Sequence, residues 1–261
     1  MDEDHVLFHF TDRVSAFDVK FPTPIPRKGE VLCRFAEFWF TNLPFKNHYV
    51  RREGNDKMVV KKMQMIPIEC VVRGYFYGSL AQRWNGGEVR LPEGTDTRIA
   101  AKLPKPYFDP TTKSESHDVP ITRESALEMK LVTPEEYDWL EKTSIEIYLK
   151  MSEIADRAGF ILADLKMEFG RMGGEILLGD SIGPDEYRMW PKESYSVGKT
   201  QESYDKQLLR DWLAAQGIKK RFEDDSRQGR EPVAPELPRE LCEEMSLRYM
   251  ASFERITGSR L

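Results

Sequence analysis

The chain has 261 residues, 40% of them hydrophobic and 32% charged, with a net charge of −5. That length suits one large domain or two small lobes with a real buried core. The composition is that of a soluble globular protein, and the mild negative charge argues against a broad nucleic-acid surface while leaving room for a basic pocket around a small anion. No apolar run approaches the roughly 18 residues of a membrane-spanning helix, and the acidic start MDEDHVLFHF is not a signal peptide. Cys33, Cys70 and Cys242 are scattered and lack C-x-x-C spacing, which points away from a disulfide framework or zinc site and toward the cytoplasm.

Residues 5–10 alternate and predict a strand, followed by the loop TDRVSAFD. Val31, Phe35, Phe38, Trp39 and Asn42 recur at helical spacing, predicting an amphipathic helix over residues 28–42. Residues 58–62 and 66–73 are short and β-branched, and predict two strands joined by a tight turn. GYFYGSLAQRW then reads as a glycine turn into a helix, and residues 85–120, rich in Gly, Pro and Thr, as a long loop. Thr133 caps a long helix that has Pro134 at its first position and Gly159 past its end. A second loop is expected over residues 181–200, then two helices near 203–215 and 238–257, whose apolar faces can pack internally or across a homodimer. The order of elements suggests an α+β architecture of two lobes and a cleft.

The segment FILADLKMEFG carries the clearest chemistry. Alternation places Ile161, Ala163, Leu165, Met167 and Phe169 on one face, and Leu162, Asp164, Lys166 and Glu168 on the other. Residues 171–174 form a turn, and EILLGD returns to end on Asp180. A solvated strand face explains such alternation as well as a site does. The apolar return strand and the position of Asp180 at a strand end favour burial at a cleft, where carboxylates can serve Mg²⁺ and nucleotide phosphates. Asp164 and Glu168 are roughly 13 Å apart at strand rise and cannot share one ion. A turn centred near Met172 would set Asp180 opposite Asp164, so that joint binding by Glu168 and Asp180 would need a bulge, strong twist or two ions.

TDRVSAFD, IECVVRGYFYGS, KSESHDVPIT, ILADLKMEFG, LGDSIGPDEYRMW and SYDKQLLRDWL run in order from residue 11 to residue 213. In this combination the chain resembles the SAICAR synthetase family, the phosphoribosylaminoimidazole-succinocarboxamide synthases. The resemblance implies a two-lobed, ATP-grasp-like α+β fold with the nucleotide between an N-terminal lobe, residues 1–66, and a C-terminal lobe, residues 67–261. It implies an ATP-dependent ligase that phosphorylates the carboxylate of carboxyaminoimidazole ribonucleotide and lets L-aspartate attack the acyl phosphate. The expected partners are these small molecules, with no nucleic acid or membrane.

The resemblance also distributes roles. Glu168 and Asp180 match Mg²⁺ ligands, with Asp164 and Lys166 lining the same cleft. Lys166 has a structural ion pair as its alternative. Arg73 and Ser79 match binders of the ribonucleotide phosphate, as do Lys206 and Arg210, for which intrahelical pairs with Asp205 or Asp211 compete. Arg188 matches an arginine for the substrate carboxylate or ribose, and Ser15 and Asp18 lie near the imidazole end. Lys113 is expected toward the nucleotide, His117 and Asp118 toward substrate, and Lys61, Met63 and Met65 against adenine, although a Met pair is also ordinary core filler. Family members begin with a strand and a Gly-Lys-x-Lys turn that helps hold ATP phosphates. The residues here start inside the second strand, so the expectation is either weaker triphosphate binding with an open sheet edge, or a longer natural N-terminus. A nucleotide-binding protein without catalysis, an assembly partner and a kinase-like phosphotransferase are the competing functions. The set Asp164, Glu168, Asp180, Arg73 and Arg188 favours the ligase, and no kinase motif is present.

Overall fold

A computed structural model describes residues 3–113 and 119–261. The first part of the chain supplies strands β1 (His5–His9), β2 (Ser15–Ala16) and β3 (Val19–Lys20), helix α1 (Lys28–Asn42), and strands β4 (Tyr49–Glu53), β5 (Lys57–Lys61) and β6 (Gln64–Met65). Then come β7 (Ile68–Tyr75), α2 (Gly78–Asn85), β8 (Lys102–Phe108), β9 (Thr111–Thr112), α3 (Arg123–Glu128) and α4 (Pro134–Arg157). The last part holds β10 (Phe160–Met172), β11 (Glu175–Gly179), β12 (Tyr187–Pro191), α5 (Gln207–Ala215), α6 (Ile218–Arg227) and α7 (Arg239–Thr257).

Two large antiparallel sheets organise these elements, and β2 and β3 pair as a separate two-stranded sheet. The first has the order β1-β5-β4; the second has the order β11-β10-β7-β8, with β12 and β6 also on β10 and β9 on β7. The expected hairpin over residues 58–73 is therefore corrected. β5 stays in the first sheet and β7 enters the second, so residues 62–67 carry the chain between sheets instead of turning it back. The segment around Asn47 ties the sheets together: His48 N–H donates to the Leu178 carbonyl at 3.0 Å, and Lys61 N–H donates to the His48 carbonyl at 2.8 Å.

Local signals explain the long helices. Thr133 accepts from the Glu136 amide while Glu136 reaches back to the Thr133 amide, a closed capping box ahead of Pro134. The buried stripe Tyr137, Leu140, Ile147, Tyr148, Met151 and Ala155 packs α4 against the second sheet. The loop expected over residues 85–120 contains a strand, β8, whose two prolines are tolerated because it ends the sheet order and pairs only with β7. The loop expected over residues 181–200 contains β12, paired along β10.

Candidate active site

β10 is the spine of the site. Its charged face is not solvated: Asp164 is 6% exposed and Glu168 2%. A bulge between Leu162 and Asp164 also corrects the simple alternation. Leu162 joins Leu165, Met167 and Phe169 in the main core, whereas Ala163 and Ile161 pack with Trp190 and Tyr77.

The turn between β10 and β11 falls at Gly173 and Gly174, both at positive φ. Glu168 therefore pairs with Gly179, placing Asp180 next to the Glu168 rung and far from Asp164. This overturns the register expected from a turn at Met172. Asp180 itself is left-handed, φ 52°, and its carboxyl shares a hydrogen bond with that of Glu168. Burial, and then Glu168 and Glu186, push the Asp180 carboxyl up to about 7. Burial also raises Glu168, but Lys113 and Lys166 outweigh it and hold Glu168 below its ordinary range. Two carboxylates crowded until one keeps its proton form a hard-oxygen site that a divalent cation would relieve. No cluster of three or more His, Cys, Asp or Glu side chains able to hold a metal occurs among the described residues.

Lys166 lies between this pair and a second group of charges. Its Nζ is 2.8 Å from Glu186, 3.0 Å from Glu69 and 3.4 Å from Glu168. Burial works against the charge, but Glu186 and Glu69 more than compensate, so Lys166 remains a fixed ammonium. Lys113 Nζ contacts the other Glu168 oxygen.

At the far end of β10, Asp164 pairs with Arg73 on β7 and Arg188 on β12. Its Oδ2 is 2.5 Å from Arg188 Nη1 and 3.6 Å from Arg73 Nη1. Arg73 Nη2 donates to Ser79 Oγ at 2.8 Å. Gly78 matters here: with φ 59° it opens α2, and a Cβ on it would sit 2.8 Å from the Arg188 guanidinium. A cavity of about 330 Å³ collects Asp18, Arg73, Ser79, Asp164, Lys166, Arg188, Lys206 and Arg210, with Glu69, Asp185 and Glu186 completing its charged lining. Its five cations meet five carboxylates, so local pairing decides what it attracts. Lys28 at 2.8 Å and Lys206 at 3.8 Å flank Asp185. Arg210 has no ion pair among the described residues; burial, then Arg188, lower its pKa. The intrahelical pairs considered for Lys206 and Arg210 do not form, because Asp211 accepts from Gln207 and Asp205 from Ser203, Met189 N–H and Gln207 N–H.

Ser15 is exposed on β2 and does not line the cavity, whereas Asp18, at φ 61°, does. Lys61 ends β5. Met63 packs against the backbone of the β10–β11 hairpin: a Cβ on Gly179 would meet Met63 Cε at 2.6 Å. Met65, 38% exposed, pairs with Gly170 through β6. His117 and Asp118 lie outside the described residues.

Several participants went unremarked in the sequence. Glu69 shares the period-2 face of Val71 and Arg73 and could have been read. Asp185 and Glu186 stand beside Arg188 in PDEYRMW. His48, whose Nε2 donates to the Asp180 carbonyl at 2.9 Å, and Asp109, beside Arg73, carry no local signal.

Residues 1–226 match the family described as SAICAR synthetase. The chain belongs to the SAICAR synthetase family. A phosphoribosylaminoimidazole-succinocarboxamide synthase of Nitrosopumilus maritimus is 62% identical over 261 residues, covering all of this chain and 95% of that protein. Among solved structures, the SAICAR synthase of Saccharomyces cerevisiae complexed with SAICAR superposes with a TM-score of 0.84 at 31% identity, covering 100% of this chain and 91% of the other. A SAICAR synthetase in complex with ADP gives 0.75 at 25% identity, covering 100% and 94%. The fold is thus the ATP-grasp-like α+β fold of SAICAR synthetases, and the chain is an ATP-dependent ligase.

Proposed function

We propose that this ligase binds carboxyaminoimidazole ribonucleotide, L-aspartate and ATP along the charged face of β10, and that Glu168 and Asp180 hold Mg²⁺. The carboxylate oxygen of the ribonucleotide takes the γ-phosphoryl group of ATP, releasing ADP. The aspartate amine then attacks the acyl carbon, phosphate leaves, and the amine loses a proton as the amide forms. A free carboxylate would have to expel oxide, and phosphorylation replaces that with a good leaving group. The cation would neutralise phosphate charge during the transfer.

The observation that carries the reading is the continuity of that face: a crowded carboxylate pair at one end, an arginine-rich cavity at the other, and Lys166 between them. In this reading Arg73, Ser79, Lys206 and Arg210 take the 5′-phosphate, and Arg210, which has no ion pair among the described residues, favours a dianion there. Arg188, fixed by Asp164 and by Gln207 at 3.1 Å, orients the carboxylate or ribose. Lys166, permanently charged, steadies developing negative charge and is not a proton acceptor. Lys61, Met63, Met65 and Lys113 flank the nucleotide in this reading; the ADP named in a related SAICAR synthetase structure supports nucleotide binding as such. Three buried free thiols suit a reducing cytoplasm.

ADP release from the purified protein tests the reading. With ATP, Mg²⁺ and the ribonucleotide present, release is expected to depend on L-aspartate, and aspartate-independent release at the full rate would contradict it.

A further inference from the structure

Arg73 owes its orientation to a residue outside the cavity. Asp109 follows the last residue of β8, and its N–H donates to the Val71 carbonyl at 2.8 Å, pinning it to the strand that carries Arg73. The carboxylate is 5% exposed and does not line the cavity. Its Oδ2 accepts from Arg73 Nε at 2.5 Å and from Arg83 Nη2 on α2. A guanidinium is planar and rigid, so occupying its Nε edge fixes where the Nη groups point. Here they point to Ser79 Oγ and Asp164, at the wall of the cavity.

We propose that Asp109 is a positioning residue for phosphate recognition. It holds the Nε edge of Arg73 so that the Nη edge, beside Ser79, faces the ribonucleotide phosphate, while Arg83 balances the charge of Asp109. This rests on the reading of Arg73 as a phosphate ligand. Without Asp109, the nearest carboxylate to Arg73 is Asp164, 3.6 Å away, and the guanidinium turns toward it and away from the phosphate.

The sign of the effect separates positioning from simple electrostatics. Removing a negative charge near an anion site would by itself tighten anion binding. Positioning predicts the reverse: Asp109→Asn raises KM for the ribonucleotide about tenfold, the scale of one charge-assisted hydrogen bond, and leaves KM for ATP and kcat at saturation unchanged. Should Asp109→Asn fold poorly, the charge-balanced pair Asp109→Leu with Arg83→Met carries the same prediction. Arg73→Met is measured alongside. A ribonucleotide KM that is unchanged or lower in the Asp109 variants, but raised in Arg73→Met, overturns the positioning role and leaves the reading of Arg73 intact. A KM raised in neither removes Arg73 from phosphate binding, and the role of Asp109 with it. Equal loss in both substrates' KM and in kcat marks Asp109 as merely structural and also overturns the proposal.

Discussion

Replacing His48 by phenylalanine probes how the β10–β11 hairpin and its proposed Mg²⁺ ligands are held. His48 is 2% exposed, its ring meets Phe8 and Phe40 edge-on at 5.5 and 5.2 Å, and its Nε2 donates to the Asp180 carbonyl at 2.9 Å. A carbonyl only accepts, so Nε2 carries the proton; burial pushes the pKa of His48 down to about 4, and the ring is neutral at pH 7. Phenylalanine fills the same space but leaves that carbonyl unpaired, which costs about 1–3 kcal/mol. For a chain of this size about 2 kcal/mol lowers Tm by roughly 4–8 °C. Asp180 also sits at φ 52°, a conformation that costs a non-glycine residue about 1–3 kcal/mol and persists only when neighbours enforce it. Losing the bond lets the backbone relax toward extended geometry and turns the carboxyl away from Glu168. If about 1.4 kcal/mol of that preorganisation is lost, the half-saturating Mg²⁺ concentration in the ADP-release assay rises about tenfold. KM for the ribonucleotide, bound at the other end of β10, stays unchanged. His48→Gln keeps an N–H donor and is expected to fall between the two. A folded His48→Phe protein with the parent's Mg²⁺ dependence would refute the reasoning, as would an equal shift in ribonucleotide KM.

Two further outcomes follow from the same electrostatics. Asp180→Asn should abolish turnover while raising Tm slightly, because it relieves the repulsion that burial and Glu168 impose; a variant that retains the parent rate contradicts the proposed metal role of Asp180. Asp185→Asn should destabilise the fold by about 3 kcal/mol in urea titrations at pH 7, since it strands the buried ammonium of Lys28. The pH dependence of that contribution has a definite sign. Burial raises the Asp185 carboxyl, but Lys206 and Lys28 outweigh it and hold it below the ordinary carboxylate range. Its stabilisation is therefore complete above about pH 4–5 and is lost as pH falls further, through the depressed folded-state pKa. Parent and variant stabilities should converge in strong acid; a gap that widened there would contradict the assignment.

Features that depend on near neighbours along the chain can be read from residue order alone. The capping box at Thr133, the apolar stripes of α1 and α4, the acidic alternation of β10 and the order of the six matching stretches were all legible. Local chemistry specifies a helix start or a strand face, so reading it needs no partner strand. What joins distant residues was decided by tertiary structure. Residues 58–73 look like a hairpin because both halves are β-branched, yet the halves enter different sheets. β8 looks like a loop because KLPKPYF has two prolines, which only an edge strand tolerates. The two candidate turn centres in RMGG differ by little more than a residue, but they decide whether Asp180 meets Asp164 or Glu168. Gly173 and Gly174 at positive φ settle that register, and the left-handed Asp180 is tied through its carbonyl to His48, in the connection before β4. A strand's alternation records which face each side chain takes; pairing register and long-range hydrogen bonds record which carboxylates meet, and no local pattern encodes those.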